Sequence, residues 1–354
     1  MKILVITHSY RLNGAAALLK SAMRYWSQTL GWDIDALVDQ KNLKEYGDEL
    51  TSIGVKPILD ASLKTNYHLV LINTFLDIQY ADLFFGKIPT ALWMHEGASI
   101  VHHFPDKPIE LVKLFSKPST LIFQTKWQTD DIFRSFICHL PKSKIAIVPN
   151  GVDVISPKLS SNKTAFPVHH IINIGTLSPR KRQFDLAAAT IHLSKQYQIH
   201  CSFVGDLDHQ DLFSDSERRY LSEFPDVLNW AGPKNHEETM QALSQSDIFC
   251  FPSSDESFPL APIEAALLNV PLILSDLPMY EGIGWIDGVN CLKFPVGDIA
   301  SLERAIEKLI LDPGLRERLT TDAYRLAKTF SHEKFLNHLT HVLLSTASPK
   351  SGAQ

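Results

Sequence analysis

The sequence predicts an α/β protein built from two doubly wound domains. Three observations carry this. At 354 residues the chain is long for one hydrophobic core. Short apolar runs alternate with helical or polar segments along most of its length, the rhythm of parallel sheet with crossover helices. Most of these runs are continuously apolar, as in strands covered on both faces. The composition, 45% hydrophobic and 21% charged, is that of an ordinary soluble protein, and a formal net charge of −5 gives no global attraction to nucleic acid or anionic lipid. The four cysteines, Cys138, Cys201, Cys250 and Cys291, lie far apart without the close pairs of structural zinc or redox motifs, so a reducing compartment is expected.

The first half opens with the strand-like run Ile3 to Ile6 and a polar loop ending Asn13-Gly14-Ala15. The apolar stretch before His8 is too short for a membrane span or signal segment, which points to a cytoplasmic protein whose membrane contacts would be peripheral. A helix follows through AALLKSAMRYWSQTL. Gly14 alone is not Gly-x-Gly-x-x-Gly, which weakens a dehydrogenase reading; it is either a tight turn or a ligand-facing loop. Further strands are predicted at Ile34 to Val38, Leu69 to Ile72, Thr90 to Met94, Thr120 to Phe123 and Ile145 to Val148. His95 follows the third of these, where an imidazole can orient a ligand hydroxyl or serve structure only. FPDKPIELVKLFSKPSTLIF reads as an amphipathic helix rather than a membrane-binding face. Asn150-Gly151 is a turn closing a first domain at 1–155, and the serine- and proline-rich stretch 156–167 is the expected linker.

The second half, 168–330, begins with Ile171 to Ile174 and then Gly175-Thr176-Leu177-Ser178-Pro179-Arg180-Lys181-Arg182. Three consecutive cations at a strand end, ahead of a helix, would oppose its dipole, so an anionic ligand is the better explanation. Cys201 to Val204 and Asn229 to Gly232 supply two more strand ends. In SDIFCFPSSDESFPLAPIEAALLNVPLILSD a strand (Ile248 to Phe251), a loop, a helix opening at Pro262 and a strand (Pro271 to Leu274) follow one another. Glu256 lies in that loop and Glu264 in the helix's opening turn, where any helix favours a carboxylate. A last helix, 331–347, carries the apolar stripe Phe335, Leu339, Leu343, and 348–354 is a flexible tail.

DESFPLAPIEA followed by NVPLILSD resembles the donor-site signature of the retaining glycosyltransferases of family 4, through Glu256, Phe258, Pro259, Leu260, Glu264, Ala265, Pro271, Ser275 and Asp276. Val148 to Asp153 and Gly175 to Lys181 also resemble that family, with Thr176 standing where it has an arginine and Arg180 as the expected substitute. The resemblance implies the GT-B fold, two Rossmann-like domains facing across a cleft, with the 331–347 helix returning to the first domain and closure over the donor. It implies a retaining, metal-independent glycosyltransferase using a nucleotide-diphosphate sugar such as GDP-mannose, UDP-glucose or UDP-N-acetylglucosamine. The acceptor would be a hydroxyl of a glycan, lipid-linked or small-molecule partner. His95, Glu256 and Lys181 would serve catalysis. Gly14, Gly175, Arg180, Lys181, Gly232, Phe258, Leu260, Ala261 and Glu264 would bind the donor, Glu264 at the ribose hydroxyls. No cofactor, metal or nucleic acid is expected. The rival readings are a GT-B nucleotide-sugar epimerase and a non-catalytic sugar-nucleotide scaffold.

Overall fold

Every apolar run named above forms a strand, and all the strand pairs within the two sheets are parallel. The computed structural model describes residues 1–10, 14–60, 66–103, 108–153, 167–207 and 219–348. The chain divides into two units, Met1–Gly151 with His332–Gln354, and Val152–Ser331.

The first unit holds β1 (Lys2–Ile6), β2 (Asp33–Leu37), β3 (Val55–Ile58), β4 (Leu69–Asn73), β5 (Thr90–Trp93), β6 (Thr120–Phe123) and β7 (Ile145–Ile147). Their order is β3-β2-β1-β4-β5-β6-β7. Ile3, Leu4 and Val5 of β1 are all fully buried, as a strand covered on both faces must be. Sequence reasoning missed β3, because Lys56 and Pro57 interrupt its apolar pattern. Proline is tolerated there because β3 is an edge strand. Leu111 and Phe115 of the helix Pro108–Ser116 join the core cluster of this unit, as the amphipathic reading requires.

The helix His332–Ala347 completes the first unit. Phe335, Leu336, Leu339 and Leu343 are buried, Phe335 lies 5.7 Å from Trp93 between ring centroids, and the Trp26 indole N–H donates to Thr340 Oγ1 at 2.8 Å.

The second unit holds β8 (His170–Ile174), β9 (His200–Val204), β10 (Leu228–Gly232), β11 (Ile248–Phe251), β12 (Leu272–Ser275) and β13 (Leu292–Phe294), in the order β10-β9-β8-β11-β12-β13. Its core gathers Ile171, Leu186, Phe203, Ile248 and Ile306 around that sheet. In each unit the sheet grows outward both ways from one internal pair, β1/β4 in the first and β8/β11 in the second. These are the topological switch points, where open parallel sheets leave a crevice beyond the strands' carboxyl ends. Of the expected linker 156–167 only Pro167 is among the described residues, and 349–354 lie outside them. No described helix is long and apolar enough to cross a membrane.

Candidate functional site

At the carboxyl rim of the second sheet three neighbouring strands end in glycine. Gly175 follows β8, Gly205 follows β9, and Gly232 closes β10. Gly175 N donates to Val204 O (2.9 Å) and Gly205 N to Gly232 O (3.0 Å), so the rim continues the ladder as bare backbone. A Cβ on Gly205 would stand 2.1 Å from Gly175 O, which no side chain tolerates.

From Gly175 the chain enters the 3-10 turn Pro179–Lys181, which sends Arg180 and Lys181 toward the end of β11. Lys181 Nζ donates to Glu256 Oε1 at 2.6 Å, Arg180 Nη1 to the same oxygen at 3.0 Å, and Ser253 Oγ to it at 2.6 Å. Lys181 also rests 4.5 Å above the Phe251 ring, with its stem 3.6 Å from where a Gly175 Cβ would be. Burial pushes the Glu256 carboxyl up, but Lys181, Arg180 and Ser253 outweigh it and hold it below the usual carboxylate range. For Lys181 burial wins over the carboxylate and lowers the ammonium below its ordinary value. Three donors converge on one carboxylate oxygen at the β8/β11 switch point. Arg182 does not join them: its backbone takes φ 51°, and its guanidinium grips Asp185 at 2.6 and 3.2 Å.

Glu264 sits in the first turn of the helix Ala261–Leu267, which opens one residue before Pro262. Its side chain is 13% exposed, and the partner it has is the His236 Nδ1 at 3.8 Å. Burial raises its pKa to about 7. Such a carboxyl gains from a ligand that brings hydroxyl donors. Phe258 is buried against Phe330 with ring centroids 5.4 Å apart, so it supplies backbone and packing rather than an exposed ring. The amides of Leu260 and Ala261 precede the helix, whose seven residues give it only a small dipole. Cations, more than that helix, make this rim attractive to anions.

Gly14 and His95 belong to the first unit. Gly14 is exposed and opens the helix Gly14–Arg24. His95 stands just beyond β5 with both ring nitrogens engaged: Nε2–H donates to Asn73 Oδ1 at 2.8 Å, and Gln124 Nε2 donates to Nδ1 at 2.8 Å. Desolvation pushes its pKa down to about 3, so the ring is neutral and is no proton carrier near pH 7. Sequence reasoning did not find Ser253, Phe251 or His236 in the second unit. Ser253 lies in the Pro/Ser loop already singled out, but its bond to Glu256 has no sequence signal. Among the described residues no group of three or more His, Cys, Asp or Glu could hold a metal ion.

Two parallel sheets of this order, with the chain's last helix in the first unit, define the GT-B class of fold. The comparisons agree. Over 98% of its length the chain matches the solved structure of Anabaena Alr3699/HepE in complex with UDP and glucose (TM-score 0.78, 18% identity, 100% of that chain). The family model described as "Glycosyl transferases group 1" matches residues 162–326, a stretch that lies within the second unit. Two curated relatives are similar at 26% identity. The Staphylococcus aureus capsular polysaccharide biosynthesis glycosyltransferase CapM matches over 182 residues (48% of this chain, 46% of CapM). The Escherichia coli O-antigen biosynthesis glycosyltransferase WclY matches over 281 residues (74% of this chain, 69% of WclY). The chain thus spans about half the length of CapM.

Proposed function

We propose that the chain transfers a sugar from a nucleotide-diphosphate sugar to a hydroxyl of a carbohydrate or lipid-linked acceptor, with retention of anomeric configuration and without a metal. The observation that carries this reading is the convergence of Lys181 and Arg180 on one oxygen of Glu256 at the second switch point. A diphosphate presents charge of the same sign to the same cations, and fixed cations stabilise the charge that grows on a departing diphosphate. As the donor enters, Lys181 and Arg180 exchange the carboxylate for phosphate oxygens, and Glu256 becomes free to accept hydrogen bonds from the sugar. Glu264 takes the two ribose hydroxyls, and the bare rim at Gly175, Gly205 and Gly232 lets backbone approach the nucleoside. The names of the relatives, which concern capsule and O-antigen synthesis, support a glycan acceptor, and the bound UDP and glucose of HepE support a UDP-sugar among the donors. His95 enters as a neutral hydrogen-bonding group. A cytoplasmic location, with any membrane contact peripheral, belongs to the same reading.

The test is a thermal-shift screen against UDP, GDP, ADP, dTDP and their sugars, followed by product analysis. A ligand that binds only the folded chain raises its melting temperature. Stabilisation by one nucleotide, lost in Lys181→Ala and Glu264→Ala and unaffected by EDTA, is the expected result. A product of inverted configuration would remove retention from the reading; donor turnover with no product joined to an acceptor would remove transfer itself.

A further inference from the structure

The carboxyl rim of the second sheet runs on past the proposed donor site. Beyond the ends of β12 and β13 it holds a cavity of about 520 Å³. That falls within the about 300–1,000 Å³ of small-molecule sites. Asp276 follows β12, Glu281 sits in the short helix Met279–Ile283, and Asp287 stands in the turn before β13; all three line the cavity and are exposed. Lys293, in β13 itself, lines it too, with its side chain 7% exposed and its Nζ 3.3 Å from Asp276 Oδ1. That ion pair is the one contact of the ammonium among the described residues, although an ammonium has three N–H donors. A buried charge is costly unless it is both paired and hydrogen-bonded, so Lys293 is a cation with donors to spare. Ile286 and Phe294 give the cavity apolar walls. Pro295 borders it, and two residues further on a Cβ at Gly297 would stand 2.9 Å from Arg182 Nη2. One loop therefore joins the cavity to the turn that carries Lys181.

We propose that this cavity is a sugar subsite, holding an uncharged sugar residue of a glycan acceptor away from the hydroxyl that reacts. The mixture of groups selects the ligand. A carboxylate only accepts hydrogen bonds and an ammonium only donates them, whereas a hydroxyl does both. Neighbouring sugar hydroxyls accept from Lys293 and donate to Asp276 and Glu281, with the C–H face of the ring against Ile286. A phosphate or uronate would meet three carboxylates against one lysine, and an ammonium ligand would leave the Lys293 donors unmet. Asp287 is the least free of the three acids, because its Oδ1 already accepts from the Lys293 backbone N–H at 2.7 Å. Asp276 is held in place by its own amide, which donates to Phe294 O at 2.7 Å and so extends the ladder between β12 and β13. The subsite lies wholly in the second unit and takes no part in making or breaking bonds. It rests on the glycosyltransferase reading and names the class of acceptor that reading leaves open.

The experiment measures binding of maltotetraose, cellotetraose and N-acetylated chitotetraose as uncharged probes, and of tetragalacturonate and the chitosan tetramer as charged ones. Saturation-transfer NMR and titration calorimetry read the affinity of wild type, Lys293→Met and Glu281→Gln, with and without UDP, up to about 10 mM probe. At least one uncharged probe should bind wild type whether or not UDP is present. Both variants should weaken it about tenfold or more, the size of a lost hydrogen bond to a charged group, while the UDP-induced melting shift stays as in wild type. Glu281 is exposed, so Glu281→Gln decides the matter if the buried Lys293 proves necessary for folding. Three results overturn the inference and leave the glycosyltransferase reading standing: no uncharged probe binds, a charged probe binds most tightly, or a folded variant keeps affinity within about threefold of wild type. Silence to UDP, GDP, ADP and dTDP, with sugar binding still lost in Lys293→Met, has the opposite meaning. It removes the glycosyltransferase reading, and the acceptor role with it, and leaves a sugar site.

Discussion

Glu264 and Glu256 are two carboxyls on one rim with opposite electrostatic histories. Glu264 is raised to about 7 from 4.5 by burial, so its contribution to stability is fully present below about pH 4.5 and is lost as pH rises through 7. Glu264→Gln removes that loss. The variant should therefore melt higher than wild type at pH 8, with the difference closing toward pH 4.5, as calorimetry across that range would read. Nucleotide binding should change the other way: wild-type affinity rises with pH through 7 as the carboxylate forms, whereas the variant binds more weakly and with no such dependence. Glu256 occupies the cations that the proposed diphosphate needs. Glu256→Gln should bind UDP alone severalfold more tightly in titration calorimetry, yet transfer sugar far more slowly. Weaker UDP binding would mean that the carboxylate does not compete for Lys181 and Arg180.

Much of this rim was legible at the level of elements. Continuous apolar runs marked β8, β11 and β12, and Gly175, Lys181, Glu256 and Glu264 could be placed at strand ends and a helix start from spacing alone. β3 was not legible, because at a sheet edge packing tolerates Lys56 and Pro57, which break the pattern. The meeting of Lys181 with Glu256 joins residues 75 apart, a contact made by parallel strand order and not by local sequence. The resemblance singled out Arg180 and Lys181, but the turning away of Arg182 depends on one positive φ at the end of a three-residue turn, which residue type does not announce. Ser253 was missed for a different reason: its bond to Glu256 spans only three residues of one loop, but no sequence pattern marks it. The glycine rim itself makes a prediction. Gly205→Ala must push Gly175 O out of its 2.1 Å clash, and with it the backbone leading to Lys181. That variant should lose melting temperature and nucleotide-induced stabilisation together, whereas alanine at Gly232, where a Cβ meets nothing within 4 Å, should cost mainly the strain of its φ of 68°.

At the scale of the whole molecule, the first unit is assembled from both ends of the chain, and the second lies wholly between them. The helix His332–Ala347 brings Phe335, Leu336, Leu339 and Leu343 into the first unit's interior. Burying four such side chains is worth about 6–12 kcal/mol at roughly 1.5–3 kcal/mol each, an upper figure because unfolded chains already bury some apolar surface. That is comparable to the whole stability of a typical domain, about 5–15 kcal/mol. The helix also caps Trp93 with Phe335 and gives the buried Trp26 indole its hydrogen-bond acceptor in Thr340, so removing it leaves a buried donor unsatisfied. Deleting 332–354 should therefore unfold the first unit and spare the second, which keeps all six strands and its own core. The readout is intrinsic fluorescence: Trp26, Trp32, Trp93 and Trp127 report the first unit, Trp230 and Trp285 the second. In the truncated chain the first four should be solvent-exposed before any denaturant is added, while Trp285, fully buried in the intact protein, still gives a cooperative transition. A truncated chain in which Trp26 and Trp93 remain buried would show that the first sheet and its other helices suffice without the returning helix.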